Sequence, residues 1–92
     1  MSYGEADRDA VLRDLRAQIA ANDLALLEAV NRRLELVRRL KEHKDAHGIE
    51  FVDEAQEDAL VERLTAANPG PLSRDAVREL YRTLLELTKS EL

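Results

Sequence analysis

Apolar side chains in the first half of the chain recur at steps of three, four or seven residues, which is the period of one helix face. No Gly or Pro interrupts the stretch from about Asp7 to Asp45, so the pattern predicts one long amphipathic helix, for which Gly48 is a suitable end. The stripe consists of Leu12, Leu15, Ile19, Leu26, Val30, Val37 and Leu40. At about 1.5 Å per residue the helix is about 55–60 Å long, whereas a compact domain of this size has a radius of gyration of about 12 Å. The helix must therefore either project into solvent, at odds with its stripe, or lie against the same helix of a second chain.

Two shorter helices are predicted in the second half. Residues 49–52 form an extended connector, and Asp53, with Gln56 three positions later, resembles a capping box that begins a helix. The segment 68–71, Asn-Pro-Gly-Pro, ends this helix. Ser73 is a good N-cap for a third helix that runs to the C-terminus. The expected inner positions are Ala55, Ala59, Leu60 and Leu64 of the second helix, and Val77, Leu80, Tyr81, Leu84, Leu85 and Thr88 of the third.

The length and composition of the chain support an all-α oligomer. Its 92 residues are interpreted as a single domain, 1–92, in which residues 1–6 are expected to be flexible. A chain this short buries only about 60–65% of its unfolded surface, and the absence of Cys excludes disulfides as compensation, so we expect a homodimer. Aromatic residues make up 3% and charged residues 36% of the sequence, which favours helices over sheets.

The charge balance limits the partners that can be expected. Fourteen basic and nineteen acidic residues give a net charge of -5, which argues against nucleic acid or an anionic membrane as a partner. The polar N-terminus lacks the apolar run of a signal peptide, and no segment approaches the roughly 20 apolar residues that span a bilayer. We therefore expect a cytoplasmic protein.

Two basic residues occupy unexpected positions on the long helix. With Arg16 as the origin of a helical wheel, the stripe spans about −120° to −40°, and Arg33 and Lys44 lie inside it at about −100° and −80°. Arg16 lies about 40° beyond its edge, where a neighbouring chain can reach it. A buried, unpaired cation costs several kcal/mol, so each needs a carboxylate partner, a path to water, or a cavity that holds an anion. One multiply charged anion between helices would account for both.

These residues resemble those of the all-helical class of chorismate mutases, in which three helices per chain intertwine as a dimer with two active sites. The resemblance covers nearly the whole chain and extends in the third helix through Leu80-Tyr81 to Thr88. The residues that carry it are Leu15-Arg16-Ala17-Gln18-Ile19, Asp23, Leu26-Leu27, Asn31-Arg32-Arg33, Lys44, Asp53, Glu57 and Val61-Glu62-Arg63-Leu64. It implies the rearrangement of chorismate to prephenate without a cofactor or a metal.

The resemblance also implies roles for the three cations. Arg16 would reach into the other subunit's pocket to bind a substrate carboxylate, and Arg33 would bind a carboxylate within its own chain. Lys44 would contact a carboxylate and the ether oxygen whose bond breaks. The reaction moves no proton, which suits a sequence without Cys and without a nucleophile-base motif around its two His residues. Arg is suited to carboxylates because its planar fork binds them bidentately, and Lys to a single oxygen as a compact charge.

The remaining implied residues are polar. Asp53 and Glu57 would lie by the ring hydroxyl of the substrate, Asp53 by its backbone or its side chain. Thr88 stands where the family usually has Ser or another small residue, and would donate to the ring carboxylate.

Two positions depart from the family pattern. Gln56 stands where members commonly carry Arg, and is equally well interpreted as a capping-box residue. Leu92 stands where they have Gln or Glu, which removes the second donor to the ether oxygen unless Lys89 or another group substitutes. We therefore expect a slower enzyme than members that keep the polar residue, or one that needs a partner from the aromatic pathway.

Three other functions remain open at this level. One is a lyase of the same fold that removes pyruvate from isochorismate, and another is a catalytically weak bundle that binds or regulates an aromatic-pathway enzyme. A coiled-coil adaptor would leave the cations in the stripe unexplained. A metal site at His43 and His47 is disfavoured, because no Cys and no evident third ligand accompany them.

Overall fold

The computed structural model describes residues 3–92, without the side chains of residues 3, 5 and 6. Its helices are α1 (Tyr3–Ala46), α2 (Glu54–Ala67) and α3 (Arg74–Glu91), and the described residues form no strand. The prediction of an all-α chain with one long and two shorter helices is confirmed. Helix α1 begins four residues before the predicted start, and residues 1 and 2 of the segment expected to be flexible lie outside the described part. The chain divides into two units, Met1–Arg33 and Leu34–Leu92.

Helix α1 ends at the predicted glycine. Gly48 has a φ of 65°, a left-handed conformation that glycine adopts without steric cost. The Ile49 N–H donates to the Lys44 carbonyl at 2.8 Å, and the Gly48 N–H donates to the Asp45 carbonyl at 3.4 Å. These two bonds form the Schellman motif, which satisfies carbonyls that the helix end would otherwise leave unpaired. The motif fixes the backbone of Lys44 in the last turn.

The predicted caps begin the other two helices. The Asp53 carboxylate accepts from the Gln56 N–H at 3.1 Å, and the Ser73 hydroxyl accepts from the Ala76 N–H at 3.1 Å. Each bond pairs one of the backbone donors that have no partner within the first turn of a helix.

Helices α2 and α3 pack against each other in the second unit. The most buried apolar residues of the described chain are Val61, Val77 and Leu85. Their surroundings correct the predicted inner faces: Val61 and Thr65 are buried in α2, whereas Ala55 and Ala59 are exposed. In α3, Leu80 was predicted to face inward but is exposed. Leu60 and Leu64 are half-buried, so the sequence pattern identified only part of the contact face of α2, because a 14-residue helix with scattered apolar residues has more than one plausible face.

Three ion pairs connect α2 to α3, and their order shows that the helices run antiparallel. The pairs are Arg78 with Glu62 at 3.3 Å, Arg82 with Asp58 at 2.7 Å, and Lys89 with Glu57 at 2.8 Å. The start of α2 thus lies beside the end of α3.

The apolar stripe of the first unit is exposed in the single chain. Leu12, Leu15, Ile19 and Leu26 retain between 47% and 60% of their surface. In the part of the chain that is described, no helix is both long and apolar enough to cross a membrane.

Candidate functional site

Lys44 is fixed at the junction between α1 and α2. Its side chain is half-buried, and its ammonium donates to the Phe51 carbonyl at 3.2 Å. Phe51 precedes the N-cap of α2 by two residues, so this bond ties the end of one helix to the start of the next. An ammonium carries three N–H donors, so two remain for an acceptor outside the chain. Lys44 is therefore a positioned cation that can bind an anionic or electron-rich oxygen.

Asp53 serves as a helix cap. Its side chain is exposed, and one carboxylate oxygen accepts from the Gln56 N–H. Gln56 is exposed as well, and its backbone N–H donates the bond of this cap. The structure thus gives Asp53 a structural function, which leaves its other oxygen available to a ligand.

Glu57 lies one turn further along α2 and contacts the end of α3. The Lys89 ammonium lies 2.8 Å from its Oε1 and 3.0 Å from its Oε2. The Glu57 side chain is 20% exposed and that of Lys89 is 38% exposed. A carboxylate contacted through both oxygens is held in position, since a change of the Glu57 side-chain rotamer would break both contacts.

Thr88, the residue before Lys89 in the sequence, is buried. Its hydroxyl donates to the Leu84 carbonyl of its own helix at 2.7 Å. Because a hydroxyl has a single proton, donation to a ligand requires the Thr88 hydroxyl to turn away from Leu84. Leu92, the C-cap of α3, is half-buried.

Arg16 and Arg33 both belong to the first unit. Arg16 is exposed, and Arg33 is half-buried. The half-buried residues of α1 recur at helical spacing, as Val30, Arg33, Leu34, Val37, Lys41 and Lys44. Arg33 in the first unit and Lys44 in the second are thus each partly shielded from solvent.

The family model for chorismate mutase type II matches residues 15–91. The chain belongs to the chorismate mutase type II family. The prediction of a helical chorismate mutase, an isomerase, is thereby confirmed.

Solved structures agree with this assignment at the level of the fold. The chain is similar to chorismate mutase from Thermus thermophilus in its form I, with a TM-score of 0.82 and 23% identity over 84% of this chain and 96% of that one. Form II of the same enzyme gives a TM-score of 0.83 and 23% identity over 86% and 90% of the two chains. None of the curated proteins matches the chain.

Within the second unit of this chain, some of the predicted residues are connected through the backbone and through neighbouring side chains. Lys44 is bonded to the connector that leads to Asp53, and Glu57 follows Asp53 by one helical turn. Glu57 in turn contacts Lys89, the neighbour of Thr88 in the sequence.

The histidines near the end of α1 contact each other. Their ring centroids are 4.3 Å apart, and Nδ1 of His47 donates to the His43 carbonyl at 2.8 Å. Across the described residues, no three His, Cys, Asp or Glu side chains are grouped so as to hold a metal ion.

The contact between Lys89 and Glu57 is the feature of the site that sequence reasoning missed. Lys89 was considered as a substitute donor to the ether oxygen, whereas the structure places its ammonium on Glu57. The two residues are 32 positions apart, so no periodicity or motif relates them. Only the antiparallel register of α2 and α3 reveals the pair.

Proposed function

We propose that this chorismate mutase rearranges chorismate to prephenate in aromatic amino-acid biosynthesis, as a homodimer with two sites. The observation that carries the proposal is the family match over residues 15–91. The half-buried cations Arg33 and Lys44 support it, since the substrate is a dianion.

The proposed mechanism is electrostatic and conformational. The reaction breaks a C–O bond and forms a C–C bond in one pericyclic step, so the enzyme has no proton to transfer. Arg16 from the partner subunit and Arg33 bind the two carboxylates and hold the substrate in its folded, near-attack conformer. Lys44 contacts a carboxylate and the ether oxygen, on which negative charge develops. Its anchor at Phe51 supports this role, because a donor positioned in advance costs no reorganisation during the reaction.

The polar residues of the second unit complete the proposed site. Glu57 accepts from the ring hydroxyl of the substrate, and Asp53 lies beside it at the start of α2. Thr88 donates to the ring carboxylate after its hydroxyl leaves the Leu84 carbonyl. Gln56 has hydrogen-bonding capacity at its exposed side chain, and we assign it no further role.

The exposed stripe of α1 supports the homodimer. Leu15 and Ile19 are 51% and 60% exposed in the single chain, and a contiguous apolar surface of this kind usually marks an interface. Pairing of two such stripes would provide burial that a 92-residue chain lacks by itself. It would also bring Arg16 into the partner's site.

The purified chain should consume chorismate and release prephenate, measured by spectrophotometry and chromatography. Its mass in solution should be that of two chains, against 10.4 kDa for one. Isochorismate serves as the comparison substrate. If the chain released pyruvate from isochorismate faster than it formed prephenate from chorismate, its function would be that of the lyase and not of the mutase. A dimer that binds a bicyclic transition-state analogue but turns over neither substrate would be a binding or regulatory protein.

Replacing Leu92 by Gln should increase kcat. An additional donor to the ether oxygen stabilises developing charge, and such a donor is typically worth on the order of 3 kcal/mol, or about a hundredfold in rate. The half-buried position of Leu92 at the end of α3 favours a smaller gain, about tenfold, since the C-cap residue is less firmly held than a helix interior. Steady-state kinetics of Leu92→Gln, with Leu92→Met as the apolar control of similar size, measure the effect. An unchanged kcat would mean that the ether oxygen already has its second donor.

A partner enzyme from the aromatic pathway and a cytoplasmic location are further parts of the proposal. The apolar Leu92 supports the partner enzyme, because a partner that reorders the end of α3 could complete the site. Stimulation of turnover by an added aromatic-pathway enzyme, and its absence for Leu92→Gln, would support this partner.

A further inference from the structure

We propose that Lys89 is a positioning residue, which orients the Glu57 carboxylate for the substrate's ring hydroxyl and neutralises its charge. The inference rests on the proposed function, since it assigns a role to Lys89 in that same site. Lys89 acts through Glu57 and does not itself touch the substrate.

The geometry of the pair differs from that of the other ion pairs between α2 and α3. Lys89 contacts both oxygens of Glu57, at 2.8 and 3.0 Å. The Glu57 side chain is 20% exposed, whereas the side chains of Asp58 and Glu62 in the other two pairs are 62% and 66% exposed. Solvent screens a half-buried pair less than an exposed one. Of the three ion pairs between α2 and α3, the Lys89–Glu57 pair is therefore the one whose charges solvent screens least.

A fourth cation, Lys89, balances the charges of the proposed site. Arg16, Arg33 and Lys44 supply three positive charges, while the substrate carries two carboxylates and the protein adds those of Asp53 and Glu57. Without Lys89, the carboxylates outnumber the cations by one, and a half-buried Glu57 would repel the incoming dianion. Lys89 supplies the missing charge from α3.

The same contact leaves Glu57 able to accept a hydrogen bond. An ionised carboxylate has about four lone-pair sites, and the ammonium uses one at each oxygen. The remaining sites lie on the sides of the two oxygens that face away from the ammonium. A ring hydroxyl can then donate to Glu57 without a rearrangement of the side chain.

Substitution of Lys89 by Met should raise KM for chorismate about tenfold and leave kcat within about twofold, because the bare Glu57 carboxylate opposes binding of the dianion. Lys89→Arg should keep KM near the wild-type value, since it keeps the charge. Arg82→Met is the matched control, because it breaks the Arg82–Asp58 ion pair between the same two helices. It should lower thermal stability somewhat less than Lys89→Met, because the Arg82–Asp58 pair is more exposed, and it should leave KM unchanged.

The double variant Glu57→Gln/Lys89→Met decides whether Lys89 acts through Glu57. Removal of the unpaired carboxylate should lower KM below that of Lys89→Met alone. If Lys89 bound the substrate directly, the double variant would be no better than Lys89→Met, and the proposal would be overturned. Equal KM values for Lys89→Met and Arg82→Met would mean that the Lys89–Glu57 pair only holds the two helices together, and this result would also overturn the proposal. An inactive wild type would defeat the proposed function itself, whereas an active wild type with an unaffected Lys89→Met would defeat only this inference.

Discussion

Arg33→Ala should lower kcat/KM for chorismate about a thousandfold while the dimer persists. Under the proposed function, Arg33 is the carboxylate partner supplied from within the chain. Removing one member of a buried charge pair costs about 4 kcal/mol, which corresponds to about three powers of ten in rate. The apolar stripe of α1 is untouched by this substitution, so association should continue. Steady-state kinetics and static light scattering measure the two quantities.

The control for Arg33 lies on the same helix. Arg39 is exposed and lies away from the stripe, at about 140° on the wheel, so Arg39→Ala should retain nearly full activity. A variant at residue 33 that keeps most of its turnover would remove Arg33 from the site. A loss of activity accompanied by monomers would instead assign it to the interface.

Lys44→Met should reduce kcat by about a hundredfold to a thousandfold, with a smaller change in KM. The substitution keeps an unbranched side chain of similar length but removes the charge that, under the proposed function, faces the ether oxygen, and loss of one preorganised donor has this size of effect. The effect belongs in kcat because charge on that oxygen develops only in the transition state. Stopped-flow or steady-state assays with chorismate in excess separate kcat from KM.

Lys41 provides the matched control for Lys44. It lies one turn earlier on α1, is also half-buried, and pairs with Asp45 at 2.9 Å. Lys41→Met removes a charge from the same helix end and should leave kcat nearly unchanged. Equal losses in both variants would mean that the helix end needs positive charge in general, which would contradict a specific contact from Lys44.

The local features of this chain follow from its sequence. The end of α1 at Gly48 and the caps at Asp53 and Ser73 depend on bonds between residues at most five positions apart. Such bonds form whatever the rest of the chain does, so residue type and spacing are sufficient to predict them.

The tertiary structure decided how α2 and α3 meet. The burial of Val61 and Thr65 in place of Ala55 and Ala59 depends on the rotation of α2 against α3. A helix with few large apolar residues leaves that rotation undetermined until its partner is present. The contact between Lys89 and Glu57 depends further on the antiparallel register of the two helices. Sequence therefore determined the helices and their ends, whereas packing between distant segments determined which charged groups of the site touch.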